Sequence, residues 1–116
     1  MLSLNWIKYT NGNYCEFKTF DLSRIKCDGV YVIWHGGNPG RVVYIGQGDV
    51  PSRIAAHRSR QDILSYAKYG PLFFTWAEVP QNQKDGVERY LADSWNPQVG
   101  EVHPAVSQIA VNSPWQ

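Results

Sequence analysis

Arg53 and His57 stand four residues apart in the stretch from Asp49 to Arg58. On a helix that spacing puts both on one face. The pair does not support a helix, because the guanidinium repels a protonated imidazole; an anion held between them removes the conflict. Arginine offers an anion a planar, permanently charged fork, and histidine can move a proton near neutral pH. Tyr31 and Tyr44 each sit in a β-prone run, and Glu88 lies on a later amphipathic stretch. A free tyrosine has a pKa of about 10, so either phenol needs a nearby cation or metal before it can act as a base. Together these side chains can bind an anion, orient water and move a proton.

The elements that must position them can be read locally. Val30 to Trp34 and Val42 to Ile45 are strongly β-prone, and Gly36-Gly37-Asn38-Pro39-Gly40 between them fits only a loop. The result is a hairpin that brings Tyr31 near Tyr44. Its register is open. If the two tyrosines are direct cross-strand partners, His35 lies opposite Gly40 around a four-residue loop and they share a face. A five-residue loop without a bulge puts them on opposite faces, and a bulge in the glycine-rich turn restores the pairing. After the hairpin, Asp49 is an N-cap with Pro51 in the first turn of the Arg53–His57 helix. Ser59-Arg60-Gln61-Asp62 resembles a capping box that restarts a helix to about Tyr69, and Gly70-Pro71 ends it. Leu72 to Val79 reads as a third, buried strand. A last helix begins near Asn82 to Asp85 and shows Val87, Leu91 and Trp95 at the spacing of a core face. Glu88 is one notch round from that stripe, and Asn96-Pro97 stops the helix. Trp34, Phe73, Phe74 and Trp76 are expected in the core.

The flanks carry less pattern. Residues 1–28 are expected to form an extension packed on the main sheet. It would contain a small hairpin about Asn11-Gly12, a strand from Tyr14 to Phe20 and a helical turn at Asp21 to Ile25. Residues 29–100 form the main domain, and 101–116 an extended or unstructured tail. At 116 residues the chain is one domain with enough length for a real core. Five Trp and seven Tyr supply large buried areas to a short chain. Cys15 and Cys27 are expected as free thiols in a reducing cytoplasm. No signal-peptide core, membrane-spanning run or Cys-His zinc spacing is visible. The formal net charge of +1 hides an asymmetry. Arg24 to Lys68 carries seven basic residues against three acids, and Tyr69 onward carries two against five. The basic half holds the hairpin and the Arg53 helix, so it can meet a phosphate backbone.

Gly29-Val30-Tyr31, Tyr44-Ile45-Gly46, Arg53, His57, Glu88 and Asn96, in that order, resemble the GIY-YIG nuclease superfamily. The similarity covers about residues 28–98, with Val30 in place of isoleucine. It implies an α/β fold of the α+β type, a small three-stranded antiparallel sheet flanked by helices. It also implies metal-dependent hydrolysis of nucleic-acid backbones, as in homing endonucleases, restriction enzymes and excision-repair nucleases.

Carried over residue by residue, the resemblance makes Glu88 the carboxylate for one Mg²⁺ or Mn²⁺. Arg53 holds the scissile phosphate, and His57 contacts that phosphate or takes part in proton transfer. Tyr31 or Tyr44 activates water. Gly29, Gly46 and Asn96 brace the site. Arg41, Arg58, Arg60 and Lys68 are expected to contact nucleic acid, DNA first. His35 and His103 receive no role. Family members usually join this domain to separate DNA-binding parts. A chain this short leaves no room for one, so an oligomer or a protein partner is expected to supply specificity. The alternative is an inactive nucleic-acid- or protein-binding module of the same fold. A nucleotide-binding P-loop is excluded at Gly46-Gln47-Gly48-Asp49, which lacks the Gly-Lys-Ser/Thr ending.

Overall fold

The structure, a computed structural model, describes residues 1–7, 13–100 and 103–115. Its centre is an antiparallel sheet of β1 (Cys15–Glu16), β2 (Asp28–His35), β3 (Arg41–Asp49) and β4 (Leu72–Glu78), in the order β1-β4-β2-β3. The helices are α1 (Val50–His57), α2 (Gln61–Leu64) and α3 (Lys84–Trp95), with 3₁₀ turns at Leu22–Arg24, Ser65–Lys68 and Gln81–Gln83. The fold is α+β with four strands rather than three, because Cys15 and Glu16 add a short strand to the outer edge of β4. Among the described residues, no helix is long and apolar enough to cross a membrane.

β2 is central and covered on both faces, which explains its unbroken apolar run. Tyr31 and Ile33 face one layer with Val43, Tyr44, Phe74, Ile54 of α1 and Ile63 of α2. Val30, Val32 and Trp34 face the other with Val42, Ile45, Val87 and Leu91 of α3. Trp34, Phe74 and Trp76 are buried as expected, and Phe73 is partly buried against the second layer.

The hairpin register differs from direct tyrosine pairing. Tyr31 pairs with Gly46, Tyr44 pairs with Ile33, and His35 pairs with Arg41 around a five-residue loop. The bulge lies in β3 and not in the turn: Ile33 opposes Tyr44 while Trp34 opposes Val42, leaving Val43 extra. Two consecutive residues, Val43 and Tyr44, therefore enter the same layer. Without that extra residue Tyr44 would face α3, because a one-residue slip inverts every side chain beyond it.

Asp49 caps α1 and accepts from the Ser52 amide, with Pro51 in the first turn. The capping box at Ser59 does not form. The N-cap of α2 is Arg60, and Asp62 turns back to hold the Arg60 guanidinium and the Ile63 amide. The strand from Tyr14 stops at Glu16, where the chain turns and the Phe20 amide returns to the Glu16 carbonyl. Ile7 and Cys15 do not pair with each other as a hairpin would. Both lie antiparallel on β4, opposite Trp76 and Phe74. The Asn11-Gly12 turn lies outside the described residues.

The C-terminal segment is extended and packed. Leu2 bridges Val111, and the Asn112 side chain accepts from the Leu4 amide (2.6 Å) and donates to the Leu4 carbonyl (3.0 Å). Trp115 meets Trp34 and Trp95 edge-on, at 5.2 and 4.8 Å between ring centroids. Trp95 itself is 40% exposed and is not the third core residue of α3. It is the last residue of the helix and packs on Trp115 instead.

Candidate active site

The tyrosines meet through the bulge. Their rings are stacked 13° apart in plane with centroids at 6.2 Å. Gly46 makes room for them: a Cβ there would collide with the Tyr31 hydroxyl and come within 3.0 Å of the Tyr44 ring. Gly29 serves the other side of β2, where a Cβ would collide with the Ala77 carbonyl of β4. Gly46 thus lets the two rings approach β3 closely, and Gly29 lets β4 approach β2.

α1 delivers His57 onto this pair. His57 is 4% exposed, its Nε2 lies 2.6 Å from the Tyr31 hydroxyl, and its ring centroid is 4.5 Å from that of Tyr44. Burial, aided by the charges of Arg60 and Arg53, lowers its pKa to about 4, so His57 is neutral at pH 7. Burial also raises Tyr31 above the ordinary phenol range, opposed by the Arg53 guanidinium beside its hydroxyl. Arginine only donates, so with Arg53 at its oxygen the Tyr31 O–H is left to donate to His57 Nε2. His57 Nδ1 is buried with no partner among the described residues.

Arg53, one turn before His57, is exposed at the mouth. It lines a cleft of about 470 Å³ with Tyr44, Gly46, Gln47, Glu88 and His103. β3 is the last strand of the sheet, with α1 packed on one layer and α3 on the other. The cleft therefore joins Arg53 and Glu88 around the edge of β3. Glu88 is 8% exposed. The lysine and arginine nearest it in sequence are engaged elsewhere: Lys84 with Asp28, and Arg89 with Asp93 at 2.9 Å. Glu88 instead receives His103, whose Nδ1 is 2.8 Å from Oε2. Glu88 is thus a withdrawn carboxylate that opens on the cleft Arg53 also lines, and a carboxylate oxygen is the kind of donor hard divalent cations take.

The expected nucleic-acid contacts divide. Arg60 lies with its guanidinium 5.2 Å from the Tyr44 ring centroid, beside the site and paired with Asp62. Arg58 has structural partners. It is only partly exposed and donates to the Phe17 and Phe20 carbonyls, each at 2.7 Å, pinning the N-terminal segment to α1. Neither Arg41 nor Lys68 lines the cleft. Arg41 lines a separate cavity with Trp34, Trp95, Asn96 and Trp115, and Lys68 lies over the Tyr69 ring. Asn96 ends α3 in the left-handed region (φ 49°, ψ 67°), with its amide bonded to the Ala92 carbonyl. It is the C-cap of the helix that carries Glu88. His103 was not singled out by sequence: it follows Glu88 by 15 residues in a segment without periodicity, and no local signal marks it.

Compared with protein-family models, curated proteins and solved structures, the chain matches none.

Proposed function

We propose that this chain is a metal-dependent endonuclease of the GIY-YIG kind, hydrolysing phosphodiester bonds of nucleic acid, with DNA the first substrate to test. The observation that carries the reading is the single cleft shared by Tyr44, Gly46, Arg53 and Glu88, with the Tyr31–His57 hydrogen bond beside it. Glu88 would hold Mg²⁺ or Mn²⁺, and such an ion would supply Lewis-acid stabilisation of the phosphate, worth roughly several kcal/mol. Arg53 binds the phosphate oxygens and stabilises their developing charge. Tyr44 or Tyr31 orients the attacking water. A Tyr31 that takes a proton from water must pass on its own, and His57 Nε2 is placed to receive it. At rest that transfer is uphill, because His57 is a weak base and Tyr31 a weak acid. A phosphate at Arg53 offsets part of the cationic field that lowers the His57 pKa, so substrate makes His57 more basic. The free thiols Cys15 and Cys27 fit a cytoplasmic protein, and an oligomer or protein partner supplies specificity.

The test is cleavage of supercoiled plasmid by purified protein with Mg²⁺, Mn²⁺ or EDTA. Metal-dependent nicking that disappears in Glu88→Gln and Arg53→Ala, with the fold retained by circular dichroism, is the expected result. Equal cutting by both variants sinks the assignment of these residues. No cutting in any metal at high protein concentration favours the inactive binding module. Binding of nucleic acid by that module would weaken with salt at a log–log slope of about −0.9 per phosphate contact on duplex DNA.

A further inference from the structure

The C-terminal segment brings an imidazole onto the carboxylate the site depends on. His103 and Glu88 side chains are 18% and 10% exposed, and His103, Pro104 and Ala105 line the same cleft as Arg53 and Gly46. The Nδ1–Oε2 separation is 2.8 Å. Two ligands at right angles on one cation, with bonds of about 2.1 Å, stand about 3.0 Å apart. The 2.8 Å contact is an ordinary hydrogen bond, and its length is close enough to that spacing for one cation to replace the shared proton with little movement of either group.

We infer that Glu88 and His103 together form a mixed carboxylate–imidazole cation site, one that takes Mn²⁺ or a later first-row divalent ion in preference to Mg²⁺. This rests on the reading of Glu88 as a metal ligand and extends it to the ion's identity. Mg²⁺ is hard, dehydrates reluctantly and is held by oxygens and water. An imidazole ligand favours the transition ions. With no ion bound, the proton on Nδ1 links His103 to the carboxylate. An ion held by both groups would take the Nδ1 lone pair in place of that proton. The other histidines do not compete for this position. His57 Nε2 is committed to Tyr31, and His35 lies at the hairpin end of β2.

Titration of the full chain with Mn²⁺, read from loss of the free-ion paramagnetic resonance signal, tests this, with Mg²⁺ added as competitor. His103→Ala should weaken Mn²⁺ binding about tenfold or more and leave Mg²⁺ affinity near wild type. Spin-echo spectra of bound Mn²⁺ should show nitrogen modulation in the wild type and none in His103→Ala. His103→Gln can still hydrogen-bond Glu88 but has no imidazole nitrogen, so it should resemble His103→Ala. If His103→Gln binds Mn²⁺ as the wild type does, or nitrogen modulation survives in His103→Ala, His103 is not a ligand and the inference fails. Glu88→Gln separates the two readings. Its binding Mn²⁺ at wild-type affinity would remove Glu88 from the metal, whereas its loss of both ions together with an unaffected His103→Ala would overturn only the role of His103.

Discussion

Tyr31 and Gly46 face each other across β2 and β3, and the missing side chain at Gly46 is the space the Tyr31 and Tyr44 rings occupy. A Cβ there would approach the Tyr31 Cζ to 2.6 Å. Gly46→Ala should therefore destabilise the fold by about 1–3 kcal/mol, the usual cost of overpacking. It should also displace the Tyr31 hydroxyl from His57. Urea denaturation measures the first effect and plasmid nicking the second. A variant as stable and active as the wild type would mean the strands give way without cost.

His57 makes stability depend on pH in a defined window. Its folded pKa of about 4 lies below the ordinary value of 6.5. Between those values the unfolded chain holds the proton and the folded chain does not, so stability rises with pH. The contribution is complete above pH 6.5 and is lost as pH falls to about 4, up to about 3 kcal/mol in all. Urea midpoints at pH 7 and pH 4.5 should converge for His57→Gln relative to wild type. Parallel losses in both proteins would locate the acid sensitivity elsewhere.

Two arginines five residues apart on the chain should part company under mutation. Arg58 bonds two backbone carbonyls, so Arg58→Ala should cost about 1.5–3 kcal/mol of stability without changing the salt slope of DNA binding. Arg53→Ala should cost little stability and reduce that slope by about 0.9. Fluorescence anisotropy across a salt series, beside urea curves, reads both. A reduced slope in Arg58→Ala would place its guanidinium on phosphate.

Asn112 ties the two ends of the chain through both of its bonds to Leu4. Asn112→Ala should lower stability by about 1–3 kcal/mol, since it leaves two partly buried backbone groups unpaired. Hydrogen exchange at the Leu4 amide should accelerate with it. Unchanged protection would show that Val111 and Trp6 hold the segment unaided.

The chain's own order of residues determined what local chemistry can determine. The β-prone runs, the glycine-rich loop, the Asp49 cap and the α3 stripe through Val87 and Leu91 depend on neighbours within a few positions, and each forms as read. Arg53 and His57 share a helix for the same reason. What only the tertiary structure decided are relationships between distant residues. The bulge at Val43 sets which face Tyr44 takes, and it answers to packing against β2 and α1 rather than to any turn signal. The strand expected from Tyr14 to Phe20 ends at Glu16, and the Phe17 and Phe20 carbonyls beyond it are taken by Arg58, a partner distant in sequence. Arg58 was legible as a charge but not as a clamp. His103 reaches Glu88 only because the C-terminal segment runs back along α3, where the Ile109 amide bonds the Gly86 carbonyl. Such a contact leaves no periodicity behind, since a segment without regular structure is held by partners that sequence spacing cannot reveal.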